Sequence, residues 1–217
     1  PMRWTSVELP PKNYWRRVRD ICDEHGILLI FDEIPSAIGR TGEMFVCEHF
    51  DVVPDMLVIG KGLGGGIFPM AALLVREDLD VTGDRALGHY THEKSSVGCA
   101  AALATIDCLF EDRLIENARA LGRRGLERLL EIKAKYPLVH DIRGLGLFFG
   151  IELRIDNQPA LKAAEDILYH SLSHGLSYKI GGGCVLTLCP PLTITESELF
   201  SAFDIIEQGL AAVAPCA

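Results

Sequence analysis

The spacing of apolar positions changes several times along the chain. Between Pro11 and His25, Tyr14, Val18, Ile21 and Cys22 recur at intervals of three and four, which predicts a helix stopped by Gly26. Ile27 to Phe31 is then an unbroken apolar run, as are Met56 to Ile59 and Ala71 to Val75. Short uninterrupted runs of this kind predict strands buried on both faces. From Ser96 the spacing is helical for two long stretches, an Ala-rich one (Val97 to Phe110) and a charged one (Ile115 to Tyr136) that Pro137 ends. Gly146 to Leu153 and Cys184 to Cys189 read as strands, and Leu161 to His174 and Glu196 to Val213 as helices.

Helices alternating with fully apolar strands predict an α/β domain with a largely parallel sheet. The later elements predict a smaller α+β domain, which divides the chain into residues 1–137 and 138–217. In a parallel sheet, ligands sit beyond the carboxyl ends of the strands. Asp32 and Lys61 both follow an apolar run directly, so both are expected at that rim.

Composition narrows the range of functions. The formal net charge of -9 argues against nucleic acid or an anionic membrane surface as partner, since both attract a basic face. No apolar stretch is long enough to span a bilayer. Seven cysteines without a CxxC pair suit reduced thiols and a cytoplasmic setting better than a disulfide frame. The opening text Pro1-Met2-Arg3-Trp4 reads as the middle of a longer protein, so the chain is expected to be a carboxy-terminal part.

The stretch "LLIFDEIPSAIGRTG" (28–42) places two acids at the end of an apolar run. Asp32 there is either a loop or cap carboxylate or the partner of a buried cation. Lys61, in "VIGKGLGGG", is either a surface residue or a desolvated amine with a lowered pKa, able to form a Schiff base with a carbonyl. Taken together, an amine and a carboxylate at one sheet rim meet the needs of pyridoxal phosphate. That cofactor needs a lysine for its aldehyde and an acid to keep its ring nitrogen protonated. Other candidates are weaker. His89, His92 and Glu93 form a polar loop without metal-ligand spacing, so no metal is expected. Gly62 to Gly66 follows its lysine rather than preceding it, unlike a phosphate-binding P-loop.

At this level of detail the chain resembles the class III (ω-type) pyridoxal-phosphate aminotransferases of fold type I. The resemblance rests on "LLIFDEI…GRTG", "PDMLVIGKGLGGG", Gly98 to Thr105, "DIRGLGLFFGIEL" and "CPPLTITESEL", and it covers nearly the whole chain. It implies that Asp32 pairs with the pyridine nitrogen, and that Lys61 holds the cofactor and moves the substrate proton. It further implies that Ile34 packs on the ring, and that Thr91 binds the phosphate of a neighbouring subunit in a homodimer. Glu33 reads as a structural hydrogen-bond acceptor and Arg143 as structural.

The implied function is transfer of an amino group from an amine or amino acid to a keto acid or aldehyde. Three departures leave other outcomes open. Pro35 stands where the family has a glutamine near the ring oxygen. Thr187 stands where it often has an arginine that grips a substrate α-carboxylate. Ser95-Ser96 replaces the usual Asn-Pro, and "THEK" is similar to text in decarboxylases and aminophosphonate lyases of the family. The alternatives are therefore a lyase, decarboxylase or racemase using the same cofactor, or an inactive truncated remnant. The family's glycine-rich phosphate cradle lies ahead of the text that Pro1 matches.

Overall fold

The computed structural model describes residues 6–85 and 93–213. They fall into two compact units, one built from 10–39 and 43–114, the other from 6–9, 40–42 and 115–213.

The first unit opens with α1 (Tyr14–His25), closed by Gly26 in the left-handed conformation at φ 63°. A three-stranded sheet follows, with β1 (Ile30–Asp32), β2 (Met56–Ile59) and β3 (Ala72–Val75) in that order. β1 runs parallel to β2, with Asp32 opposite Val58, and β3 is antiparallel to β2. The described sheet is thus mixed. Two sequence expectations need correction. First, these strands are not buried on both faces, because Ile30 is 53% and Leu73 55% exposed, and Leu74 and Val75 are exposed as well. β1 and β2 turn Phe31, Leu57 and Ile59 inward, whereas β3 is exposed from Leu73 to Val75. Second, β1 begins at Ile30 rather than Ile27. The Leu29 N–H donates to the Asp55 carboxylate at 2.7 Å, so a side chain takes the place of a strand carbonyl there. Asp55 also receives Arg19 at 2.7 Å and Arg76 at 2.6 Å, tying α1 to the end of β3. The unit ends with α2 (Ser96–Glu111), whose first turn is capped by the Ser95 hydroxyl.

The second unit contains α3 (Leu114–Lys135), β4 (Val139–Gly144), β5 (Phe149–Ile155), the short β6 (Gln158–Pro159), α4 (Leu161–Ser173), β7 (Lys179–Gly181), β8 (Val185–Leu188) and α5 (Glu196–Val213). Its sheet is antiparallel in the order β4-β5-β8-β7, with β6 on β5. Leu129, Ile132, Phe149, Ile151, Leu153, Ile167, Leu186 and Phe203 are shielded completely and form one core. The Phe149 and Phe203 rings meet edge to face at 5.6 Å. α3 turns Ala118, Leu121, Leu129 and Ile132 into this core. The change between units accordingly lies at the start of α3, whereas the boundary expected near residue 138 lies at its other end.

Gly122 lets α3 approach the β4–β5 turn. A Cβ there would lie 2.6 Å from the Gly146 Cα. Arg40 belongs to this unit and donates to the carbonyls of Leu147 and Pro190. Among the described residues, no helix is long and apolar enough to cross a membrane.

Candidate active site

Parallel pairing of β1 and β2 brings their carboxyl ends to the same edge of the first unit. Asp32 is the last residue of β1 and Lys61 the second residue after β2. The strand alternation sends neighbouring side chains opposite ways. Phe31 points into the core, Asp32 points outward, and Glu33 is again fully buried. The Asp32 Oδ1 accepts the N–H of Ile34 at 3.1 Å, which folds the chain back over the strand end.

Gly60 is fully extended, and Lys61 then opens a short 310 turn (Lys61–Gly64) at a positive φ of 48°. A non-glycine residue in this region is strained, and such residues cluster at functional sites. Gly60 packs beside Ile34, since a Cβ there would make ordinary contact with the Ile34 Cγ2 at 3.5 Å. Ile34 therefore lies directly against the backbone that carries Lys61. Gly65, in the left-handed conformation, seats the same loop on α2, where a Cβ would come within 2.8 Å of the Thr105 hydroxyl.

Glu33 has the most restricted surroundings of these residues. Its carboxylate accepts the backbone N–H groups of Val46 at 2.6 Å and Cys47 at 2.8 Å. Burial pushes its pKa above the ordinary carboxylate value, and the two N–H donors offset only part of that. Burial also pushes the neighbouring Cys47 thiol up to about 12, with the Glu33 and Glu48 charges adding to the effect. Cys47 is consequently a poor nucleophile.

The structure thus brings Asp32, Ile34 and Lys61 to one rim. Asp32 and Lys61 are both exposed among the described residues, so the desolvated amine considered from sequence is not seen here. Thr91, with His89 and His92, lies outside the described residues. Thr187 belongs to the second unit. It is buried in the middle of β8 between Gly150 and Lys179, and its hydroxyl donates to the Val185 carbonyl at 3.4 Å. It presents no positive charge. Arg143 is engaged by Asp141 at 2.8 Å and Glu152 at 2.6 Å, a structural arrangement. Gly181 ends β7, and Gly182 to Cys184 form the turn to β8. Sequence reasoning did not anticipate how completely Glu33 is enclosed. The signal available was the alternation that starts at buried Phe31.

An amine and a carboxylate at the ends of adjacent parallel strands, with the Ile34 side chain beside Gly60 of the lysine loop, fit the aldehyde, the ring nitrogen and the ring face of a pyridoxal group. Known proteins point the same way. The pattern of the aminotransferase class-III family matches residues 6–210. An (R)-1-hydroxy-2-aminoethylphosphonate ammonia-lyase from Vibrio splendidus is 45% identical over 98% of this chain and 45% of its own length. A leucine/methionine racemase from Thermococcus litoralis is 38% identical over 96% of this chain and 47% of its own. An amine transaminase from an uncultivated Pseudomonas species, solved with pyridoxal phosphate bound, superposes with a TM-score of 0.91 at 31% identity, covering 99% of this chain and 51% of that one. The chain spans about half the length of the curated relatives it matches. These likenesses establish the fold-type I α/β architecture and a family whose cofactor is pyridoxal phosphate. The chain belongs to the class III aminotransferase family.

Proposed function

We propose that the protein containing this chain uses pyridoxal phosphate to labilise a bond at the amine-bearing carbon of a small substrate. The observation that carries this reading is the placement of Asp32 and Lys61 at the carboxyl ends of the parallel pair β1 and β2. When bound, the cofactor supplies a sink for the electron pair left as that bond breaks. Lys61 would hold the cofactor through its Nζ and then carry the proton at the substrate carbon. Asp32 would keep the ring nitrogen protonated, and Ile34 would cover one face of the ring. Assembly as a homodimer, with Thr91 serving the phosphate in the partner subunit's site, belongs to the same reading.

Within it we favour loss of ammonia from a substrate that lacks an ordinary α-carboxylate, such as an aminophosphonate. Buried, uncharged Thr187 supports this, since it cannot form the bidentate clamp an arginine would offer. The 45% identity to an aminophosphonate ammonia-lyase supports it as well. Amino transfer to a keto acid or aldehyde is the second reading, supported by the likeness to the amine transaminase.

Incubation of the full-length protein with 1-hydroxy-2-aminoethylphosphonate separates the two. Ammonia release over many turnovers without a keto acid is expected. A single turnover that converts the cofactor to its amine form and then stalls until a keto acid is added would establish transamination instead.

A further inference from the structure

Glu33 is a fully buried acid for which the chemistry just described has no use. Among the described ion pairs none involves it, and its buried charge is met by the two backbone N–H groups and the adjoining Cys47 thiol. Its main chain is equally engaged. The Glu33 N–H donates to the Val58 carbonyl at 2.9 Å, which extends the β1–β2 ladder one residue beyond Asp32. The Glu33 carbonyl accepts from Ser36 at 3.0 Å and from Ala37 at 2.9 Å, which starts the turn that carries Ile34. Side chain and backbone together fasten this one residue to β2, to the following turn and to the 46–47 segment.

The two residues flanking this anchor are Asp32 and Ile34, which face the rim with Lys61. Asp32 is further linked to Ile34 through the 3.1 Å hydrogen bond. Neither flanking residue can shift without straining bonds at Glu33. An apolar side chain of the same size would avoid the buried charge but would leave the Val46 and Cys47 N–H groups unpaired.

We propose that Glu33 is a positioning residue: it fixes the backbone between Asp32 and Ile34, and so sets the approach of the Asp32 carboxylate to the cofactor ring nitrogen. Glu33 touches neither cofactor nor substrate in this scheme and acts through its two neighbours. The inference rests on the cofactor reading above.

The test uses full-length, cofactor-loaded protein and the variants Glu33→Gln and Glu33→Ala. Gln keeps the size and one acceptor oxygen, so it remains informative if Ala does not fold. Borohydride trapping at Lys61 of the wild type checks the cofactor reading itself, and failure there overturns that reading rather than the role of Glu33. With trapping intact, the Gln variant is expected to keep the bound cofactor. The pH at which its visible band titrates should move by about half a unit or more. Its kcat should fall about tenfold or more, with KM for the amine within about twofold. A variant that melts at a lower temperature yet keeps the wild-type spectral titration and kcat would show Glu33 to be a fold residue only, and the proposal would fail.

Discussion

The two units of this chain are built from similar apolar runs and reach opposite outcomes. In the second, five antiparallel strands and α3, α4 and α5 enclose a core in which Phe149, Ile151, Leu186 and Phe203 have no exposure. In the first, β1 and β2 bury Phe31, Leu57 and Ile59, while Ile30 and Leu73 to Val75 are exposed and Met56 and Val58 are half-buried. Ile27, Ile30, Leu73 and Ile67 are all more than half exposed there. Scattered apolar residues on a surface are ordinary, but a row of them along adjacent strands marks a face built to be covered. The closed unit carries none of the rim residues proposed for the cofactor, and the open one carries all three. Stability and chemistry are thus divided in this chain, and each can be attacked separately.

The largest effect is expected at the rim of the open unit. Lys61→Ala should abolish reductive trapping of the cofactor by borohydride and reduce activity below detection. Asp32→Asn should retain trapping but slow proton abstraction by about 10²–10³-fold, because a charge aimed at the ring nitrogen is lost. Thermal melting of the second unit should be unaffected by either change. If the Lys61→Ala protein is trapped to the same yield, another lysine is the anchor and the division drawn above does not hold.

A substitution in the closed unit should act the other way. Phe149→Ala removes a ring packed on Phe203 and on Gly125, and such truncations cost about 3–5 kcal/mol. Ile30→Ala, on the open face of β1, should cost less than about 1 kcal/mol in this chain alone, since the side chain is largely in water already. Denaturant titration of the two variants checks this. Equal losses would mean that the open face is covered in solution.

Legibility from sequence follows the same division. α5 and β2 have the bounds their patterns predict, and α1, α2, α3 and α4 fall within a few residues of them. Their periodicities are long or sharply bounded. β4 was missed because His140, Asp141 and Arg143 interrupt its apolar alternation, and because a register shift lies between Val139 and Asp141. β7 was missed because its last residue, Gly181, opens a run of three glycines that masks a three-residue strand. At the site, the apolar runs ahead of Asp32 and Lys61 pointed to one rim, and the pairing of β1 with β2 brings those strand ends to one edge, whereas Ile34 came from the family resemblance alone. What spacing cannot convey is exposure. The same apolar runs predict burial whether or not a second layer covers them. The adjacency of Asp32 and Glu33 likewise does not tell which acid turns inward.

The smallest effect concerns how the open unit is held without a full core. Asp55 joins α1, the start of β1 and the end of β3 through Leu29, Arg19 and Arg76. The Leu29 N–H and then the arginines hold its carboxyl below the ordinary range, so its contribution is present above the unfolded pKa and lost as pH falls through the folded one. Glu33 has the opposite sign. Burial raises its pKa, so the stability it adds is complete below the unfolded value and lost as pH rises through the folded one. The second unit joins its apolar core to ion pairs of its own, with Glu152 and Glu207 also held below the ordinary carboxylate value by their hydrogen-bonded arginine and lysine partners. Acidification through the carboxylate range should therefore speed hydrogen exchange at the Leu29 and Met56 amides, held by Asp55 and its strand, and also at those of Ile151 and Leu186, whose sheet carries Glu152. Asp55→Asn should weaken the first unit at neutral pH and flatten its loss on acidification. Exchange of the Leu29 amide that responds to acid equally in the wild type and in Asp55→Asn would show that this carboxylate does not hold the first unit.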